Sequence, residues 1–210
     1  MMIDLLTPAR HDALCEMFNI SVGQSAAKLS EMVGDEVSLL LPAVRASTLA
    51  EFDLRLGGGR WGEVDTVVQH FSGGFEGDAL FLFPHEDGAA LNSHVFDRLL
   101  DRGRNVEAAR DALEEIGNVV LSVCLSKLAD LLDEPLDCFA PSLFTAHACD
   151  LLTRQTHNPQ QIVLCLFTQF ELEAEHIEGS FCILISLPSI DGLLNGLDRF
   201  VDSANPAEKH

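Results

Sequence analysis

The feature that most constrains the fold of this chain is an internal duplication with a constant offset. Four residues recur 99 positions later: Asp12, Glu16, Asn19 and Pro42 return as Asp111, Glu115, Asn118 and Pro141. The dipeptide at 28–29, Lys-Leu, returns at 127–128 with the same offset. A fixed offset over polar and special residues is the signature of a repeated unit. Because each copy is about half the chain, the repeat predicts a pseudo-two-fold structure and not a solenoid of short units.

Both halves show the same order of patterns: a long helix, a strand, a short helix, a hairpin and a further helix. Apolar residues at a spacing of three and four predict the helices, and apolar runs interrupted by glycines predict antiparallel hairpins. The predicted segments are 8–33, 36–41, 46–56, 63–83 and 89–100 in the first half, and 106–132, 136–140, 145–153, 161–187 and 190–201 in the second.

This order predicts an α+β fold, because hairpins with separate helices form an antiparallel sheet that the helices cover. Three strands in each half are few for a sheet with a buried face. We therefore expect one six-stranded, mainly antiparallel sheet shared by both halves. The prediction is a single domain over residues 1–210, made of two repeats at about 1–103 and 104–210.

Composition and charge exclude some classes of partner. The formal net charge is −20, which opposes binding to nucleic acid or to anionic lipid. The acidity fits either solubility alone or docking to a basic rim on a protein partner, and both remain open. No basic, apolar leader begins the chain, and the apolar run at 181–187 is too short to cross a bilayer. We expect a cytoplasmic protein without membrane insertion. The six cysteines form no Cys-x-x-Cys pair, so no metal site is predicted.

Asp12, Glu16 and Asn19 lie at positions i, i+4 and i+7, which a helix places on one face. The apolar stripe of the helix does not need them. One such triplet is most simply a solvated face, with the Asn bonding locally. Its recurrence, at the same distance from a proline, favours a function.

The chemistry of these side chains narrows that function. A carboxamide such as that of Asn19 is neither acid, base nor nucleophile, but it can hold and orient a water molecule. A glutamate one turn away can pair with a cation. Neither group makes a complete hydrolase, so the pair could complete the active site of a partner, as a water-orienting amide does in phosphoryl transfer.

The duplicated pattern Asp/Ser-x3-Glu-x2-Asn-x22-Pro resembles the signature of the CheC/CheX/FliY family of chemotaxis phosphatases. The segments Asn19-Ile20-Ser21-Val22-Gly23 and Glu115-Ile116-Gly117-Asn118-Val119 are similar to the family as well. The resemblance covers nearly the whole chain. Two motifs in a chain of this length resemble CheC most, since CheX-like proteins carry one motif and FliY-like proteins carry an added domain.

The resemblance implies hydrolysis of the aspartyl phosphate on a CheY-type response regulator. Glu16 and Glu115 would dock to the regulator's lysine, while Asn19 and Asn118 would orient the attacking water. The protein would need no cofactor of its own, because the Mg²⁺ belongs to the regulator. No role follows for Asp12 or Asp111, beyond a structural one in the helix.

The resemblance also implies an alternative of a different class. The chain would then be a non-catalytic adaptor that binds a CheD-type receptor deamidase or a receiver domain. A monomer is expected, and a dimer stays open. The two sites need not be equal, since Phe18 stands beside Asn19 where the second copy has Gly117.

Overall fold

The computed structural model describes residues 6–40, 42–51, 62–85, 106–147, 162–173 and 177–204. Within these ranges the chain forms three long helices, eight strands and one short 3-10 helix. In chain order the elements are α1 (Pro8–Val33), β1 (Val37–Leu39), β2 (Ala43–Thr48), β3 (Glu63–Gly73), β4 (Gly77–Pro84), α2 (Val106–Leu132), β5 (Leu136–Cys138), β6 (Ser142–His147), β7 (Ile162–Leu172), β8 (Ile177–Ser186), the 3-10 helix Leu187–Ser189 and α3 (Ile190–Ala204).

The ends of α1 follow from local sequence. The backbone N–H of Arg10 donates to the Thr7 hydroxyl oxygen over 3.3 Å, and Pro8 occupies the first turn, where its missing N–H costs nothing. Gly34 ends the helix in a left-handed conformation with φ of 68°. The residue 99 positions later, Asp133, ends α2 with φ of 52°. The duplication therefore extends to the helix caps, although only one copy has the glycine that this conformation favours.

The strands form one antiparallel sheet in the order β1-β7-β8-β4-β3-β5, with β2 also paired to β7 and β6 also paired to β3. The two predicted hairpins, β3–β4 and β7–β8, meet at the centre, where β4 pairs with β8 and Phe81 lies opposite Phe181. The sheet thus contains strands from both halves of the chain. The α+β architecture and the shared antiparallel sheet are confirmed.

The predicted strand count of six was too low, because eight strands are present among the described residues. The short helix predicted at 46–56 begins as the last part of β2, and only residues 49–51 are helical in its described portion. The one predicted at 145–153 likewise begins as β6. The residue spacing in these segments predicted helices, but pairing of β2 with β7 and of β6 with β3 satisfies the backbone and overrides that pattern. The rest of both segments, and the helix predicted at 89–100, lie outside the described residues.

The three long helices pack on one face of the sheet and bury the larger core against it. At its centre Phe81, Phe170 and Phe181 contact each other with ring centroids 5.1 to 5.2 Å apart.

A second, smaller cluster lies on the opposite face, where Leu49 packs with strand residues such as Val64 and Leu80. On β3 the side chains of alternate residues, including Val67 and Gln69, point toward the helices. Among the helices of the described residues, none is both long and apolar enough to span a bilayer.

Candidate functional site

The predicted site residues lie on the two long helices that cover the sheet. Glu16 and Asn19 are on the exposed side of α1, and Glu115 is on the exposed side of α2. Asn118 is half-buried, one turn after Glu115. Complete burial of these side chains would have favoured a purely structural role, and none of the four is buried. Each helix therefore presents a carboxylate and a carboxamide on one accessible face.

The two aspartates of the motif are exposed one turn before the glutamates. Asp12 lies 3.6 Å from the ring of its neighbour His11, and this contact gives Asp12 no chemistry of its own. Among the described residues, Asp111 makes no hydrogen bond or ion pair that would assign it a role.

A residue that the sequence did not single out lies beneath Asn118. Gln69, on β3, is only 2% exposed. Its Nε2 lies 3.3 Å from the Asn118 side-chain oxygen, 3.3 Å from the Ser122 hydroxyl and 3.2 Å from the Phe139 carbonyl oxygen. Because β3 belongs to the first repeat and α2 to the second, the site around Asn118 combines residues from both halves of the chain.

The segment between β5 and β6 forms the rim of this site. The Phe139 N–H donates to the carbonyl of His70 over 2.9 Å. The ring centroids of Phe139 and His70 lie 5.3 Å apart. The Phe139 side chain nevertheless remains 53% exposed. An exposed aromatic side chain next to a polar site is typical of a contact surface for another protein.

The first site has the same rim 99 positions earlier. The Leu40 N–H donates to the carbonyl of Gln169 over 2.9 Å, and the Thr168 hydroxyl donates to the carbonyl of Leu40 over 2.7 Å. Leu40 is 61% exposed. Thr168 lies 99 positions after Gln69 and is its counterpart in the other repeat. Within the described residues, however, no hydrogen bond joins Thr168 to Asn19. The two sites share a plan but differ in what supports the asparagine.

Phe18 and Gly117 precede the two asparagines, and both lie on the buried side of their helices and not on the exposed face. Phe18 is fully buried, at 0% exposure, in the core under α1. The bulky side chain therefore does not stand in the way of a partner at Asn19. At Gly117 an added Cβ would lie 2.6 Å from the side chain of Val67 on β3. The glycine lets α2 approach β3 closely, next to the point where Gln69 meets Asn118.

Two cysteines lie near the sites, and neither is an activated nucleophile. Burial raises the pKa of the Cys15 thiol, and the charge of Asp12 raises it further. Burial and the charge of Asp137 likewise raise the pKa of Cys138, which precedes Phe139. A raised pKa keeps a thiol protonated at neutral pH, and the thiolate is the reactive form. The raised pKa values therefore do not favour covalent catalysis by these two thiols.

The remaining chemistry of the site is positioning and charge pairing. In the described part of the chain, no group of three or more His, Cys, Asp or Glu side chains is placed to hold a metal ion. A carboxamide can orient water and donate to phosphate oxygens, and a carboxylate can bind a cationic side chain. Such groups act on a reaction only when a second molecule brings the reacting bond.

The sequence contained weak signals for the residues that were not predicted. Gln69 follows the apolar pair Val67 and Val68 in a predicted strand, and a polar side chain within such a strand needs a hydrogen-bond partner if it is buried. Leu40 and Phe139 stand two residues before the duplicated prolines. Both are apolar residues of the predicted strands 36–41 and 136–140, and only the structure places them at the surface.

No protein-family model matches the sequence, and no curated protein matches it. Solved structures do. With its open antiparallel sheet covered by helices, the chain has the CheC/CheX/FliY-type α+β fold.

Three solved structures with this fold are similar to this chain. FliY from Thermotoga maritima is 20% identical, with a TM-score of 0.71 over 93% of this chain and 98% of that chain. The FliM middle domain from H. pylori is 12% identical, with a TM-score of 0.66 over 90% and 99%. CheX from Borrelia burgdorferi, solved as a CheX–CheY–BeF3–Mg complex, is 16% identical, with a TM-score of 0.55 over 81% and 96%. At these identities the comparisons establish the fold alone.

Proposed function

We propose that this protein is a phosphatase that hydrolyses the aspartyl phosphate of a CheY-type response regulator. The observation that carries the proposal is the duplicated Glu and Asn pair, which stands accessible on both helices of a CheC/CheX/FliY-type fold. The similarity to CheX, whose solved structure is a complex with CheY, supports a receiver domain as the substrate. A cytoplasmic location follows from that substrate.

In this mechanism the reacting bond belongs to the partner. A water molecule attacks the phosphorus, the bond from phosphorus to the aspartyl oxygen breaks, and the aspartate leaves as a carboxylate with the electron pair. The water proton passes to the phosphate or to solvent. Asn19 or Asn118 holds the water in line with that bond, so catalysis comes from orientation.

The glutamates have a docking role in this proposal. The carboxylate of Glu16 or Glu115 accepts hydrogen bonds from the regulator's lysine ammonium, which fixes the helix against the receiver surface. The Mg²⁺ of the reaction is the regulator's, and it neutralises charge on the phosphoryl oxygens there. The net charge of −20 favours approach to a basic rim on the partner and disfavours nucleic acid.

A second function, that of a non-catalytic adaptor, has one observation in its favour. The FliM middle domain shares this fold and is not catalytic, so the fold alone does not require an enzyme. The exposed Leu40 and Phe139 side chains would serve binding equally well. In this alternative the chain binds a receiver domain or a CheD-type deamidase without hydrolysis.

The deciding experiment follows phosphate loss from a phosphorylated receiver domain in the presence of Mg²⁺. We expect Asn19→Ala and Asn118→Ala each to slow the decay, and the double variant to lose about 100-fold of the acceleration because orientation is lost. The matched variants Glu16→Gln and Glu115→Gln keep the shape of the side chains and should raise KM more than they lower kcat. If the double Asn variant is as fast as an active wild type, the proposed role of the asparagines is wrong. If the wild type binds the receiver domain without accelerating decay, the adaptor replaces the enzyme.

A further inference from the structure

We propose that Gln69 is a positioning residue that fixes the Asn118 side chain in the second site. This inference rests on the proposed phosphatase function, because it assigns a support to the amide that would orient the water. It stands on the hydrogen bond that joins β3 to Asn118. Gln69 is 2% exposed and reaches Asn118, Ser122 and Phe139 from one nitrogen.

The orientation of the Gln69 amide is set by its surroundings. The backbone carbonyl of Phe139 can only accept, so the Nε2 end and not the oxygen must face it across 3.2 Å. Nε2 carries two hydrogens. One goes to that carbonyl, and the other is available to the Asn118 oxygen at 3.3 Å. Ser122 does not need to compete for it, because its hydroxyl can instead donate to the Gln69 Oε1 at 3.5 Å.

This arrangement also orients Asn118. Its Oδ1 faces Gln69, which leaves the second lone pair of that oxygen and the two Nδ2 hydrogens for water and phosphate oxygens. A side-chain amide has a broad, nearly two-fold torsion, so an anchored oxygen removes the flipped orientation. Less conformational freedom must then be lost when the reacting geometry forms.

The first site lacks this support. Thr168 stands where Gln69 does, but its hydroxyl donates to the carbonyl of Leu40 over 2.7 Å, and the described residues show no hydrogen bond from it to Asn19. Asn19 is more exposed than Asn118. Gln69 should therefore affect only the second site, and a change at Thr168 should leave the first site's chemistry almost unchanged.

The test isolates each site in the full chain. Gln69→Leu is made in an Asn19→Ala background, where only the second site acts. Thr168→Val, its matched control, is made in an Asn118→Ala background. We expect Gln69→Leu to lower kcat for phosphorylated receiver about tenfold with KM within about twofold, because orientation and not docking is lost. Thr168→Val should leave kcat within about twofold of its own background.

A second measurement does not depend on activity. The side-chain ¹⁵NH2 group of Asn118 should be ordered in the wild-type protein, and ¹⁵N relaxation should show it more mobile in Gln69→Leu, with the Asn19 amide unchanged. Circular dichroism and the backbone amide spectrum confirm that each variant is folded. If Gln69→Leu does not fold, Gln69→Met replaces it, since Met has the same length and adapts to its surroundings.

The outcomes separate this inference from the proposed function. With an active wild type, an unchanged kcat in Gln69→Leu overturns the positioning role, and a loss confined to kcat supports it. An equal loss of kcat in Thr168→Val would overturn the positioning role as well, because the effect would not be specific to the second site. With an inactive wild type the phosphatase proposal fails, and the positioning role is then decided by the Asn118 relaxation alone.

Discussion

Gly117 of α2 lies so close to Val67 of β3 that a Cβ on the glycine would stand 2.6 Å from the side-chain carbons of the valine. Real Cβ atoms do not approach other atoms that closely, so one of the two elements would have to move. Val67 and Gln69 are on the same face of β3. The glycine therefore sets the distance between the motif helix and the strand that supports it.

Replacement of Gly117 by alanine is expected to destabilise the protein. Overpacking costs about 1–3 kcal/mol, and the higher helix propensity of Ala offsets up to about 1 kcal/mol of that. We expect a lower free energy of unfolding in urea and a selective loss of turnover at the second site. The substitution should cost less in a Val67→Ala background, because two of the three clashing atoms, Cγ1 and Cγ2 of Val67, are then gone. Additive effects of the two substitutions would contradict the contact.

Gly23→Ala is the matched control for the prediction at Gly117. Gly23 also lies inside a motif helix, but an added Cβ there meets no atom within 4 Å. Alanine should therefore stabilise the helix by about 0.5–1 kcal/mol. A destabilisation as large as that of Gly117→Ala would show that any side chain at a helical glycine is harmful, whatever lies below it.

The long helices could be predicted closely from sequence, because their signals are local. The start of α1 at Thr7 and Pro8 and its end at Gly34 are both as expected. The strands β2 and β6 were not predicted, because these segments become strands only through pairing with the distant strands β7 and β3. Local propensity contains no information about those partners.

The candidate site shows the same division between local and distant information. The Glu and Asn pairs follow from spacing on one helix and from the repeat. Gln69 does not, because it lies 49 residues from Asn118 and 70 residues from Phe139 along the chain. Its contacts depend on the register between the two halves, which only the folded sheet determines.

Arg10 on α1 and Asp198 on α3 form a two-point ion pair, with nitrogen to oxygen distances of 2.7 and 2.6 Å. The hydrogen bonds from Arg10 lower the pKa of Asp198, burial opposes this, and the positive charge of Arg10 adds to the lowering. A carboxylate whose pKa is lowered by folding stabilises the protein above its ordinary pKa of 3.8. This stabilisation is lost as pH falls through the lower value in the folded protein.

Asp198→Asn should therefore reduce the free energy of unfolding at pH 7, but by no more than about 1 kcal/mol, since the pair is at the surface. Urea unfolding of both proteins from pH 7 to pH 3 measures the difference. The difference in free energy of unfolding between the two proteins should be constant down to about pH 4 and shrink below that pH. It should also be smaller in high salt. A difference that grows as the pH falls would have the wrong sign for this pair.

Leu40 and Phe139 should contribute to docking of the receiver domain. Truncation of an exposed apolar side chain that a partner covers costs binding energy without changing the reacting groups. In an Asn19→Ala background, Phe139→Ala should raise KM for phosphorylated receiver about tenfold with kcat within about twofold. Leu40→Ala should do the same in an Asn118→Ala background, as measured by initial rates of phosphate release.

Ile162→Ala is the control for the rim, because Ile162 is also exposed, at 36%, but lies at the far end of β7. Leu40 bonds to Gln169 on that strand, and seven residues of strand separate the two by about 23 Å. The control should leave both KM and kcat unchanged. A rise in KM equal to that of Phe139→Ala would mean that apolar exposure anywhere on the surface matters. The rim beside the asparagines would then have no special part in docking.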